Sequence, residues 1–262
     1  MLDVVLDLFE RPIKNGHVLL ERYKIIQFIG KGSYGMAYQA IDFKTGITVV
    51  VKQLRKRKNR SQRKLLEREA NMLSDLNHLS IPSLVDLFEE ENRFYLIMEY
   101  IEGKNVEELI FYDGVKYNEK ESFQLLLEVL KVINYLHGKG IIHRDLRLPN
   151  ILINGSKVSV IDLGLAVLIS EKEPIPLETL SIEKRLFREI SFKSDFYALG
   201  HFVLFLLYSN YQVSSKKEQS WEEELTISDA SKQIIRKMLK LEGSYDNIEE
   251  IIMDVENVLD LL

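Results

Sequence analysis

Three residues near the middle of the chain have the types and spacing to do chemistry together. Asp145 lies in the string HRDLRLPN at His143 to Asn150, and Asn150 and Asp162 follow, twelve residues apart, the latter opening D-L-G. One isolated carboxylate and a pair of oxygen ligands are the parts that phosphoryl transfer needs. The first orients an attacking hydroxyl and accepts its proton, and the pair holds a divalent cation against nucleotide phosphates. H-R-D alone recurs by chance. H-R-D with Asn five residues on and D-x-G twelve beyond that is specific.

Elements upstream must position these groups. Ile29 to Tyr38 reads IGKGSYGMAY, with Gly30, Gly32 and Gly35 at G-x-G-x-x-G spacing, where the missing Cβ lets backbone approach phosphates. A dinucleotide-binding turn has the same spacing but runs straight into a helix. Here Ala37 to Asp42 and Ile47 to Leu54 are strand-like, with a Thr45-Gly46 turn between them. Lys52 ends VVVK, seventeen residues after Gly35. The order and spacing of these segments resemble the eukaryotic-type (Hanks-type) Ser/Thr protein kinases, over roughly Tyr23 to the end of the chain. Its particular flavour resembles the short, soluble, YbdM-type kinases of Gram-positive bacteria.

The resemblance implies an α+β fold with a small β-rich N-lobe (22–98), a hinge (99–104) and a larger helical C-lobe (105–262), behind an N-terminal extension (1–21). It implies ATP and Mg²⁺ (or Mn²⁺) as cofactors, protein substrates, and autophosphorylation. Asp145, Arg147, Lys52 and Glu69 take catalytic roles, and Asn150 and Asp162 bind metal. Nucleotide would contact Ile29, Gly30, Lys31, Gly32, Ser33, Gly35, Ala37, Val50, Lys52, Met98, Glu99, Ile101, Asn105 and Leu152. Two acids, Glu67 and Glu69, compete to hold Lys52. Glu69 fits the family register, because His78-Leu79-Ser80-Ile81 follows it at the usual H-x-x-I distance. As ordinary helix-surface residues, both would pair with Arg63, Lys64 or Arg68. Asp195, opening SDFYALG, is expected to anchor the catalytic loop through backbone amides. His78, His137 and His201 read as packed helix or turn residues, and His143 as a packing support for the loop.

The sequence departs from the family at several points. Arg147 replaces Lys, keeping charge but adding a planar fork. That leaves Ser/Thr against Tyr preference open. Val50 narrows the adenine side, Ala37 replaces Val, and Leu163 replaces Phe of D-F-G. The activation segment, Gly164 to Ser194, has no A-P-E. Glu183 stands where its Glu would be, but no Arg partner lies between Leu239 and Tyr245. Pro174 and Pro176 stiffen the segment. Arg144 suggests control by a phosphate on Ser170, Thr179 or Ser181. Two other functions therefore compete: a pseudokinase scaffold, favoured by that segment, and a small-molecule phosphotransferase, against which Arg144 stands where H-G-D enzymes carry Gly.

Bulk properties bound the remainder. The 262 residues suffice for one two-lobed domain, and 46 % apolar content excludes a disordered chain. Without cysteine there are no disulfides and no thiolate chemistry. Formal charge is −5, from 35 basic and 40 acidic residues, so no nucleic-acid partner is expected. Met1 to Glu10 carries acids rather than a basic n-region, and no apolar stretch reaches about 20 residues, so neither a signal peptide nor a membrane span is expected. A cytoplasmic location follows. Arg55 to Lys64 holds seven basic residues in ten. It reads as a solvated loop or as a docking surface for an acidic or phosphorylated partner.

Overall fold

A computed structural model describes residues 11–32, 35–54, 60–171, 181–212 and 219–262. The chain divides into two compact units, Met1–Ile101 and Glu102–Leu262. The division falls within the expected hinge, 99–104. The first unit is β-rich and the second mainly helical, so the class is α+β.

In the first unit, β1 (Val18–Leu19), β2 (Tyr23–Lys31), β3 (Gly35–Asp42), β4 (Thr48–Leu54), β5 (Leu84–Glu90) and β6 (Arg93–Glu99) form one antiparallel sheet in the order β1-β2-β3-β4-β6-β5. Strand alternation sets its two faces. Met36, Tyr38 and Ala40 of β3, with Val49 and Val51 of β4, enter a core shared with Tyr95 and Ile97, while Ala37, Val50 and Lys52 take the other face. Turn chemistry fixes the register. At the β3–β4 corner the Asp42 carboxylate accepts from the Lys44 amide and the Thr45 hydroxyl, and Gly46 takes φ +76. Between β5 and β6, Glu91 and Asn92 both take positive φ (50 and 59), the backbone of a primed hairpin turn. Helix α1 (Arg60–Ser74) presents Leu66, Ala70 and Leu73 as its buried stripe.

Of the N-terminal extension, residues 1–10 lie outside the described residues. From residue 11 the chain forms turns and the edge strand β1, with Leu19 buried in the sheet core and Ile13 packed against it. The Ile13 amide donates to the buried Tyr38 hydroxyl, 3.1 Å away.

The second unit contains β7 (Lys104–Asn105), α2 (Val106–Phe111), α3 (Glu119–Gly138), β8 (Ile141–Ile142), β9 (Ile151–Asn154), β10 (Lys157–Val160), β11 (Val167–Leu168), α4 (Ile182–Arg188), α5 (Phe192–Tyr208), α6 (Trp221–Glu224), α7 (Asp229–Met238) and α8 (Ile248–Leu261). Asn118 and Glu121 form a reciprocal capping box at the start of α3, whose Phe123, Leu126, Leu130, Ile133 and Leu136 are fully buried. Helix α5 is buried nearly all round. A Cβ on Gly200 would lie 2.9–3.1 Å from Leu239 and Met238, so this glycine is what lets α5 and the end of α7 approach. Among the described residues no single helix is long and apolar enough to cross a membrane.

Candidate active site

The residues expected to act on nucleotide fall into two groups, one per unit. In the first unit, the β2–β3 turn carries the glycines. Gly30 lies opposite Ala37, and the Gly32 amide donates to the Gly35 carbonyl at 2.9 Å. The three glycines differ in what demands them. A Cβ on Gly35 would meet the Gln53 carbonyl oxygen at 2.0 Å, whereas Gly30 and Gly32 have open space around theirs. Gly35 is thus required by the sheet itself, whereas a side chain at Gly30 or Gly32 would meet no neighbour within 4 Å. Ile29 and Lys31 are exposed. Ser33 lies outside the described residues.

Across β3 and β4 Ala37 faces Lys52, and across β4 and β6 Val50 faces Met98. These four side chains therefore share one sheet face. The Lys52 ammonium sits 2.8 and 2.7 Å from the two Glu69 carboxylate oxygens. Glu69 is only 2 % exposed, because it lies on the buried stripe of α1. Glu67 points elsewhere and pairs with Arg63 at 2.7 Å, an i,i+4 surface pair. The register expectation for Glu69 and the surface-pair expectation for Glu67 thus each describe one acid. Arg63 also lies over the Phe94 ring, 4.3 Å from its centroid. Residues 55–59 of the basic run are outside the described residues. The Glu99 amide donates to the Ser83 carbonyl at 2.9 Å, so only its carbonyl remains for a base, and Ile101 is buried.

In the second unit the catalytic loop is held mainly by its own backbone. Asp195, fully buried at the start of α5, accepts from the His143 amide (2.9 Å) and the Arg144 amide (2.8 Å), as expected of it. Its carboxylate also meets His137 Nε2 at 2.9 Å. Burial pushes the Asp195 carboxyl up, but the His137 hydrogen bond, the imidazoles of His137 and His143, and the Arg144 amide together bring it below the usual carboxylate range. His137 is thus more than a packed helix residue. His143 likewise does more than pack: its Nδ1 accepts from the Asp145 amide (3.2 Å), which leaves the ring proton on Nε2, 3.2 Å from the Ile161 carbonyl. That imidazole ties the loop to the strand leading into Asp162.

Asp145 is 8 % exposed. Asn150 Nδ2 donates to its backbone carbonyl (2.8 Å) and to its Oδ2 (3.0 Å), and Arg147 reaches the same Oδ2 at 3.1 Å. The β9–β10 hairpin, turning at Asn154-Gly155 as its sequence implies, brings its two ends together, with the Ile161 amide donating to the Asn150 carbonyl at 3.0 Å. Asp162 follows at once, in a left-handed backbone conformation (φ 67) that non-glycine residues rarely adopt. Its Oδ1 accepts from the Gly164 amide at 3.2 Å. With Nδ2 spent on Asp145, Asn150 offers its Oδ1, and this oxygen and the Asp162 carboxylate are of the hard type that divalent cations take. Among the described residues no group of three His, Cys, Asp or Glu side chains could hold a metal unaided. A two-oxygen site of this kind relies on phosphate oxygens to complete the shell.

Asn105 and Leu152 are cross-strand partners between β7 and β9. The Asn105 oxygen also caps α2, accepting from the Glu108 amide at 2.8 Å. The activation segment brings two further departures. Among the described residues of the segment Glu183 is exposed, while Glu189 lies 2.5 Å from Lys240. Lys240 lies in the window where an Arg partner is missing, so an ion pair there exists with both members changed. Pro174, Pro176 and Thr179 lie outside the described residues. Ser181 caps α4 and Ser170 is exposed. Arg188, which no motif marks, places its guanidinium 2.7 Å from the Arg144 carbonyl and 3.5 Å from Asp145 Oδ1.

The chain belongs to the protein kinase family, whose domain model matches residues 23–251, and its activity is ATP-dependent phosphoryl transfer of the serine/threonine protein kinase class. It is 35 % identical over 254 residues to the probable serine/threonine-protein kinase YbdM of Bacillus subtilis, covering 96 % of this chain and 95 % of that protein. Serine/threonine-protein kinase B of Synechocystis sp. is 32 % identical over 250 residues (84 % of this chain, 43 % of that protein). Serine/threonine-protein kinase 33 of Bos taurus is 28 % identical over 262 residues (88 % and 54 %). The chain thus spans nearly all of the first relative and about half of the other two.

Proposed function

We propose that the chain transfers the γ-phosphoryl group of Mg-ATP to serine and threonine hydroxyls of proteins, itself included, with Asp145 as the base that orients the hydroxyl. The acceptor oxygen bonds to the γ-phosphorus as the bond to the bridging β–γ oxygen breaks, ADP leaves, and the hydroxyl proton passes to the Asp145 carboxylate. Asn150 Oδ1 and the Asp162 carboxylate hold Mg²⁺ (Mn²⁺ being the alternative), which when bound neutralises the charge building on the phosphates. Lys52, steadied by Glu69, holds the α- and β-phosphates, the glycine turn at Gly30 and Gly32 lies over them, and Arg147 stabilises the transferred charge. Ala37, Val50, Met98, the Glu99 carbonyl, Ile101 and Leu152 make the adenine contacts.

One observation carries this reading: the Asn150 amide is spent on both the backbone and the carboxylate of Asp145. This couples the proposed metal ligand to the proposed base. A scaffold that never turned over would have no use for the coupling. Docking of an acidic or phosphorylated partner at Arg55–Lys64 stays within the proposal, although Arg63 is already paired internally. A cytoplasmic location is part of it too.

The test is intact-mass spectrometry after incubation with Mg-ATP, beside Asp162→Ala. Phosphate additions present in the natural chain and absent from the variant are the expected result. Unchanged mass in both, with no transfer to a dephosphorylated casein acceptor, would favour the scaffold or small-molecule alternative.

A further inference from the structure

Arg144 is the least comfortable residue of the catalytic loop, with φ +64. A left-handed backbone costs a non-glycine residue roughly 1–2 kcal/mol, so its surroundings must hold it there. On the amide side the holding group is Asp195, at 2.8 Å. On the carbonyl side it is Arg188 Nη1, at 2.7 Å. These two groups come from different helices: Asp195 begins α5, and Arg188 ends α4 in the activation segment. The same guanidinium faces Asp145 Oδ1 at 3.5 Å, while Oδ2 is taken by Arg147 and Asn150. Oδ1 therefore keeps the capacity to accept a hydroxyl proton, with Arg188 beside it.

Helix α4 is itself seated by identifiable contacts. Phe187 stands edge-on to Tyr197, 4.8 Å between centroids, and lies 5.2 Å from His201, both on α5. Glu189, which caps the helix, reaches Lys240. Arg188 lies between these two anchors, so its position reports whether α4 is docked.

We infer that Arg188 is a positioning residue: by clamping the Arg144 carbonyl and flanking Asp145 Oδ1, it makes the catalytic geometry conditional on the docking of α4. The clamp stands on geometry alone, and its effect on turnover rests on the kinase reading proposed above. The same ion pair read as a block on Asp145 predicts the opposite effect of its removal.

The experiment compares the full chain with Arg188→Ala, Arg188→Lys and, as a control on the same helix, Arg185→Ala. Hydrogen exchange of peptides covering residues 141–147 should speed up about tenfold in Arg188→Ala and stay unchanged in Arg185→Ala. This arm needs no activity, so unchanged exchange in Arg188→Ala overturns the clamp whether or not the chain is a kinase. ADP formation with dephosphorylated casein as acceptor should show kcat lowered roughly 10–100-fold in Arg188→Ala, the worth of a charge-assisted hydrogen bond, with KM for ATP unchanged. Arg188→Lys should retain part of the rate, and millimolar guanidinium should restore part of it to Arg188→Ala. A faster Arg188→Ala enzyme would overturn the inference in favour of a block. No ADP from the natural chain would instead count against the kinase reading, with the exchange arm still deciding the clamp.

Discussion

Lys52 and Asp145 are both held in place, but by different means. Lys52 meets Glu69 side chain to side chain, through two flexible stems, and the acid rides on a helix that the unit buries along one stripe. Asp145 sits in a loop whose consecutive amides at His143, Arg144 and Asp145 are all engaged, by Asp195 and by the His143 ring. Main-chain hydrogen bonds fix the backbone of the loop itself, whereas the Lys52–Glu69 contact fixes two side-chain ends, at a carboxylate whose burial makes an unpaired state costly.

Substitutions at the two groups should separate them. Asp145→Asn keeps the shape and removes the base, and should lower kcat by roughly 10²–10⁴, measured as phosphoryl transfer at saturating ATP. Near-normal turnover would remove Asp145 from its role. Asp195→Ala should leave two loop amides and His137 without their carboxylate and destabilise the chain by about 3–5 kcal/mol in denaturant unfolding. A loss under about 1 kcal/mol would mean that the loop is held elsewhere.

The same carboxylate sets a pH dependence. A carboxyl lowered on folding stabilises the fold above its ordinary value of about 3.9, and that stability fades as pH falls through the lower folded value. Acid unfolding curves should thus have a limb below about pH 4 that Asp195→Asn flattens. Glu69→Gln should cost roughly 10–100-fold in kcat with little change in unfolding, by the loss of one charged contact. Glu67→Gln, two residues away, should change kcat less than about twofold, since exposed pairs are worth a few tenths of a kcal/mol. Equal effects from the two acids would erase the contrast between buried and surface pairs.

Much of this was legible in the chain because its partners are close in sequence. Asn150 and Asp162 are brought together by a hairpin whose Asn154-Gly155 turn and strand pattern are local features. The choice of Glu69 over Glu67 was legible twice: in the spacing to His78, and in the stripe Leu66, Ala70, Leu73, on which only Glu69 falls. Strand β1 before Tyr23 was less legible, because two residues carry no period and only the pairing of Val18 and Leu19 with Lys24 and Tyr23 defines it. The helix cap at Asn105 was legible too, since Asn followed by Glu three residues on is a capping-box signature.

Spacing along the chain determined the glycine turn, the candidate base, the candidate oxygen pair and the class of chemistry, because hairpins, caps and helix stripes close over a few residues and leave little choice of partner. Tertiary structure alone decided that Arg188 meets Arg144 and Asp145 across more than forty residues, that Glu189 takes Lys240 while Glu183 stays exposed, and that His137 joins Asp195. Such contacts depend on where apolar packing docks α4, α5 and α7. Packing is set by the shape of whole faces, to which a short motif contributes almost nothing.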